Sequence, residues 1–124
     1  MGTAHAAGTA MHELSLMEGL SERVLAVAAR EEAERVLTIR LRIGRLAGVD
    51  PDALRFAAEV VLANTIAAGA TLTIEEIEPA CWCDPCNAPF AASAGCGDCP
   101  HCGTLSTQLV RGKELNLVAV ELIP

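Results

Sequence analysis

At 124 residues the chain is long enough for one modest core and too short for two independent ones. A net charge of −7 opposes a phosphate backbone, and with one Trp, two Phe and no Tyr the chain lacks aromatic platforms for single-stranded nucleic acid. Its longest apolar stretch, Phe56 to Ala70, is broken by Glu59 and Asn64 and is too short and too polar to span a bilayer. Nucleic acid and membrane are therefore excluded as partners.

Residues 1–10 are small and lack periodicity, with neither the basic start nor the apolar run of a secretory signal, and they read as a flexible leader. From Leu14 onward, Leu16, Leu20, Val24 and Val27 recur at helical spacing, which predicts a helix from about Ser15 to about Glu34. Leu37, Ile39, Leu41 and Ile43 then alternate with Thr38, Arg40 and Arg42, the period of a strand with one buried face. After the loose turn at Gly44 and Gly48, Asp50 can cap a second helix that has Pro51 in its first position and runs to about Asn64. Leu72, Ile74 and Ile77 mark a strand near residues 71–78, and Leu115, Leu117, Val118, Val120 and Leu122 a last one. Two helices on a small three-stranded sheet, an α+β fold, satisfy this order.

All six cysteines fall between the last two strands. Without an export signal they point to metal ligation or thiol chemistry in a reducing compartment, the cytoplasm, rather than to a disulfide framework. Cys83-Asp-Pro-Cys86 and Cys99-Pro-His-Cys102 make two C-x2-C turns twelve residues apart. Each turn aims two sulfurs at one ion, and together they supply the four thiolates of a closed, structural zinc site in a ribbon-like inserted lobe. Gly103 permits the backbone conformation such a turn needs. Cys-Pro-His-Cys also resembles an oxidant dithiol, but Gly97, Pro100 and Gly103 leave no helix to activate it. Iron in a rubredoxin-like electron carrier, and a structural zinc-ribbon adaptor, remain the alternatives. Cys81 and Cys96 are left over and read as small buried or adventitious thiols, and His101 as a solvent-facing loop residue. No acid–base pair or nucleophile with a partner stands out among so few His, so no catalytic site is predicted.

Read from Met11, the opening Met11-His12-Glu13-Leu14-Ser15-Leu16 is similar to the Met-His-Glu start of the HypA/HybF nickel-insertion family. The likeness continues through Gly44-Arg45-Leu46, Pro51 with Ala53-Leu54-Arg55-Phe56, the paired C-x2-C turns and Arg111-Gly112-Lys113-Glu114-Leu115. It implies a nickel-binding α/β domain over residues 11–79 and 112–124, with a zinc-binding lobe inserted over residues 80–111. It further implies transferable Ni(2+) bound by the His12 imidazole with help from Met11 and Glu13, and structural Zn(2+) on the cysteines. The implied role is a metallochaperone that works with a HypB-type GTPase and inserts nickel into the large subunit of nickel–iron hydrogenase; a homodimer is compatible with it. In the family the methionine before this His starts the chain, so its amine can ligate. Here ten residues precede Met11: either Met11 is the natural start, or another donor, His5 or Glu13, replaces the amine.

Overall fold

A computed structural model describes the backbone of residues 2–92 and 95–124, and the side chains of that range from His12 onward. Helices α1 (Gly2–Arg30) and α2 (Pro51–Val61) accompany strands β1 (Arg35–Gly44), β2 (Thr71–Ile77), β3 (Ala80–Cys83), β4 (Ala88–Ala91), β5 (Leu109–Arg111) and β6 (Leu115–Ile123). One three-stranded sheet has the order β2-β1-β6 and the other β4-β3-β5. The two helices and the first sheet are the α+β frame read from the sequence; the second sheet is an addition to it. The chain forms two compact units, one of Met1–Leu41, Val49–Ile74 and Leu117–Pro124, the other of Arg42–Gly48 and Glu75–Asn116. The excursion over residues 80–111 lies within the second.

In the first unit, α1 begins far upstream of Ser15, so residues 2–10 are helical instead of the loose leader expected. Ala4, Ala6, Ala7 and Ala10 carry the highest intrinsic helix propensity, and no Pro interrupts them. The buried seam of α1 is Glu13, Met17, Leu20, Ser21, Val24 and Ala28, displaced from the expected one, since Leu16 and Val27 are only half-buried. Both sets fit a 3.6-residue period, and only packing selects between them. The helix stops at Arg30 rather than Glu34. Glu32 adopts a left-handed φ of 54°, Ala33 N–H donates to Ala28 O at 2.9 Å and Glu32 N–H to Ala29 O at 3.1 Å. This is a Schellman closure with a glutamate in the position that glycine usually takes, so the sequence carries no stop signal there.

Ile39, Leu41 and Ile43 of β1 point inward as the alternation requires, but at the start of the strand Val36 is buried and Leu37 is 42% exposed. The pairing of Val36 N–H with Ile66 O explains the change of phase, because it ties the start of β1 to the loop after α2. Asp50 caps α2 as read from the sequence: its carboxylate accepts from the backbone N–H of Asp52 at 3.0 Å and of Ala53 at 3.4 Å, with Pro51 following. Leu54, Ala57 and Ala58 are the buried face of α2, which packs against α1.

In the second unit, the central strand β3 pairs antiparallel with β4 (Cys81 opposite Phe90, Cys83 opposite Ala88) and with β5 (Cys81 opposite Leu109). Cys81, Cys83, Phe90, Ala92 and Cys99, with Leu109 against them, form its small core. At the base, Gly44 N–H donates to Glu114 O at 2.8 Å and Leu46 N–H to Gly112 O at 2.7 Å, while the Glu114 carboxylate accepts from Gly112 N–H at 2.6 Å. Hydrogen bonds from its own backbone N–H and from that of Gly112 hold the Glu114 carboxyl below the usual carboxylate range. The backbones touch here: a Cβ on Gly44 would lie 2.0 Å from the Gly112 carbonyl carbon. Gly112, at φ 126°, lies so close to Pro79 that its own Cβ would meet the Pro79 Cα at 2.8 Å.

Gly44→Ala is therefore expected to lower stability by roughly 3 kcal/mol, because only backbone stands in the way and it cannot rotate aside. Gly19→Ala, with nothing within 4 Å of its added Cβ and a helical backbone, is expected to raise stability by about 0.5–1 kcal/mol. Urea midpoints of the two variants check the contrast; equal midpoints would show that the crossing tolerates a side chain.

Candidate metal centre

Cys83 is the last residue of β3, and the turn to β4 is closed by Asn87 N–H on Asp84 O at 3.1 Å with Asn87 at φ 52°. That turn swings Cys86 back beside Cys83. The second C-x2-C turn is built the same way: Cys99 N–H donates to Thr104 O at 2.9 Å, Gly103 N–H to Cys99 O at 2.8 Å, and Gly103 takes φ 78°. The bridge between Asp98 and Leu105 closes its base. The four sulfurs lie within 4.8 Å of one another, with Cys83 to Cys102 at 3.4 Å and Cys86 to Cys99 at 4.0 Å. A tetrahedral zinc–thiolate site has sulfur–sulfur edges of about 3.8 Å, so the donor set fits that ion. Among the described residues this is the only group of three or more His, Cys, Asp or Glu side chains placed to hold a metal.

The cluster is electrostatically uneven. The hydroxyl and backbone N–H of Thr104 bring the Cys102 thiol down to about 6, whereas hydrogen bonding with the Cys102 and Cys83 sulfurs pushes Cys86 up to about 12. Four adjacent thiolates repel one another, and a divalent ion held by the four sulfurs would offset that repulsion as it replaced their protons. His101 N–H donates to Cys99 Sγ at 3.4 Å while the residue itself is exposed. Thr104 went unread in the sequence, where a threonine after the turn glycine carries no spacing signal.

Cys81 and Cys96 are not adventitious thiols. They form a disulfide with Cα atoms 5.7 Å apart, which corrects the reading that no disulfide is present. Cys81 is indeed buried, but at the centre of β3, opposite the loop that carries Cys96. Spacing in a sequence cannot show that approach.

His12 and Glu13 do not converge. Consecutive residues of a helix point about 100° apart, and here His12 is exposed while Glu13 is 0% exposed. The Glu13 Oε2 accepts from Asp50 N–H at 2.6 Å, and its Oε1 has no partner among the described residues. Glu13 is thus neither a first-turn carboxylate nor solvent-facing, and it ties α1 to the cap of α2. The backbone of Met11, His12 and Glu13 lies within the body of α1, where N–H groups serve the helix itself. The side chains of His5 and Met11 lie outside the described residues.

A small α+β frame that carries a four-thiol cluster defines a metal-binding protein. The family model for hydrogenase/urease nickel incorporation, the metallochaperone HypA, matches residues 11–122. The hydrogenase maturation factor HypA of Rhizobium leguminosarum bv. viciae is 42% identical over 113 residues, 91% of this chain and 100% of the relative. That of Synechococcus elongatus is 41% identical over 117 residues, again 91% and 100%. The chain belongs to the HypA family. The solution structure of the Ni metallochaperone HypA from Helicobacter pylori shares the fold, with a TM-score of 0.64 at 20% identity over 90% of this chain and 97% of that one. A second HypA solution structure has a TM-score of 0.70 at 22% identity, over 91% and 97%.

Glu13→Ala is expected to cost about 2 kcal/mol in urea unfolding, since it removes a fully buried side chain together with the acceptor of the Asp50 N–H. His12→Ala, at an exposed site, should stay within about 0.5 kcal/mol of the parent. A destabilised His12→Ala beside an unchanged Glu13→Ala would invert the assignment.

Proposed function

We propose that the chain is a cytoplasmic nickel metallochaperone: it carries Ni(II) through His12, holds a structural zinc on Cys83, Cys86, Cys99 and Cys102, and delivers nickel, with a HypB-type GTPase, to the large subunit of nickel–iron hydrogenase. The observation that carries the zinc assignment is the convergence of four sulfurs at tetrahedral separations. Four thiolates leave no open position for water or substrate, so the ion cross-links the two turns and takes no part in chemistry.

Nickel is the cargo. The reading is supported by the family match, which begins at Met11, and by the exposure of His12, whose imidazole suits Ni(II). Glu13 contributes by position, because its carboxylate is held at Asp50 and fixes the helix beneath the imidazole. A site that also draws on the amides of Met11 to Glu13 requires α1 to open ahead of Leu14, since those N–H groups otherwise stay within the helix. Delivery to hydrogenase is supported by the names of the relatives, each a hydrogenase maturation factor.

Metal analysis tests both assignments. The purified protein is expected to retain one equivalent of zinc and to bind nickel reversibly; iron in the cluster would overturn the zinc assignment. Cys83→Ser, Cys86→Ser, Cys99→Ser or Cys102→Ser should each lose the zinc and melt the lobe, because structural zinc contributes on the order of 10 kcal/mol to so small a unit. His12→Ala should weaken nickel binding by more than about a hundredfold in calorimetry while zinc stays at one equivalent. Unchanged nickel affinity in that variant would remove the nickel assignment.

A further inference from the structure

Two cross-links run in parallel in the second unit. The cysteine cluster joins the β3 end (Cys83, Cys86) to the second turn (Cys99, Cys102), and the Cys81–Cys96 disulfide joins the same two pieces just upstream of each cluster turn. Cys81 sits in the middle of the central strand, opposite Phe90 and Leu109. Cys96 opens the segment whose hydrogen bonds, Ser106 N–H to Gly97 O and Cys99 N–H to Thr104 O, shape the second turn. The two partners also differ in access, because Cys81 is fully buried and Cys96 is an exposed residue.

We propose that the Cys81–Cys96 bond is a thiol-exchangeable staple that decides whether the lobe needs its metal to stay folded. The inference rests on the zinc reading of the four remaining cysteines. With the disulfide formed, emptying the cluster leaves the second turn still fastened to β3. With it reduced, the metal is the one remaining cross-link between them, and folding and metal retention become coupled. The bond closes a separation of 15 residues, and a loop of that size shifts a folding equilibrium by about a hundredfold. Exchange begins from the exposed side: the thiolate of a low-molecular-weight thiol attacks Cys96 Sγ and forms a mixed disulfide, and Cys81 leaves as a thiolate and takes a proton. A second thiol releases Cys96. Two thiols are oxidised to one disulfide while Cys81–Cys96 gains two electrons and two protons.

Trp82, the one tryptophan of the chain, stands between Cys81 and Cys83 and reports on the lobe. Its N–H donates to Gln108 O at 2.9 Å and its carbonyl accepts from the Ser106 hydroxyl, so its surroundings change when the second turn comes away. The 124-residue, zinc-loaded protein is prepared in two forms: equilibrated with oxidised glutathione, or reduced by a phosphine that is itself converted to the phosphine oxide. Free thiols are counted by alkylation and mass spectrometry, and zinc is then removed with a chelator. Chelation should leave Trp82 emission unchanged in the disulfide form and shift it to the red in the reduced form, with the apo lobe about a hundredfold less stable in urea when reduced. Cys81→Ala/Cys96→Ala, kept zinc-loaded until chelation, should follow the reduced form under both conditions; if it fails to fold, the two wild-type forms decide alone. The same Trp82 response in both forms, or no Cys81–Cys96 bond under oxidised glutathione, overturns the staple. Metal analysis before chelation separates the failures: no zinc in either form overturns both readings, whereas one zinc in each with identical responses overturns only this one.

Discussion

The second unit is pinned, within itself, at a place where no side chain fits. Gly44 meets Gly112 backbone to backbone, and Gly112 in turn presses on Pro79, so the segments that lead into and out of residues 80–111 are held together at their base. A long excursion whose ends are pinned loses less entropy when its interior is drawn together than one whose ends are free. That condition lets two distant C-x2-C turns meet on a sheet of only three short strands. The ion pairs nearby, Arg42 with Glu75 and Arg45 with Glu78, are exposed and add little, so the crossing depends on sterics and backbone hydrogen bonds rather than on charge.

Above that base, the lobe has a core of a few side chains, half of them cysteines. So little apolar area cannot hold a fold by burial alone, and cross-links take over the task. The uneven acidity of the cluster follows from its geometry. Cys102 faces the Thr104 donors and ionises readily, whereas Cys86 faces other thiols and resists ionisation. A divalent ion held by the four sulfurs would resolve the conflict by replacing protons.

In the first unit, neighbouring residues of one motif have opposite fates. His12 faces solvent, while Glu13 is buried against the N-terminus of α2, where its carboxylate meets the Asp50 N–H. One step along a helix separates them, and the same turn of α1 therefore presents an exposed imidazole and anchors itself with the adjacent acid. Among the described residues Glu13 Oε1 has no partner, in an interior that is mostly aliphatic.

Patterns that depend on neighbours in the chain were legible in the sequence. The periods of α1 and β1, the Asp50–Pro51 start of α2 and the two C-x2-C turns are local, and each is imposed by backbone geometry over a few residues. The family likeness in the order of its motifs carried the function further than the residues alone. Decisions between distant segments were not legible. Met17 rather than Leu16 lies in the α1 seam, and Val36 rather than Leu37 turns inward, because packing chooses among faces that periodicity leaves equivalent. The start and end of α1 escaped notice because an alanine-rich stretch carries no break and a glutamate closes the helix where glycine would have announced it. The contact of Gly44 with Gly112, the bond between Glu13 and Asp50, and the Cys81–Cys96 disulfide each join residues far apart in sequence. Only the folded chain brings such pairs within reach, so only the tertiary structure decided them.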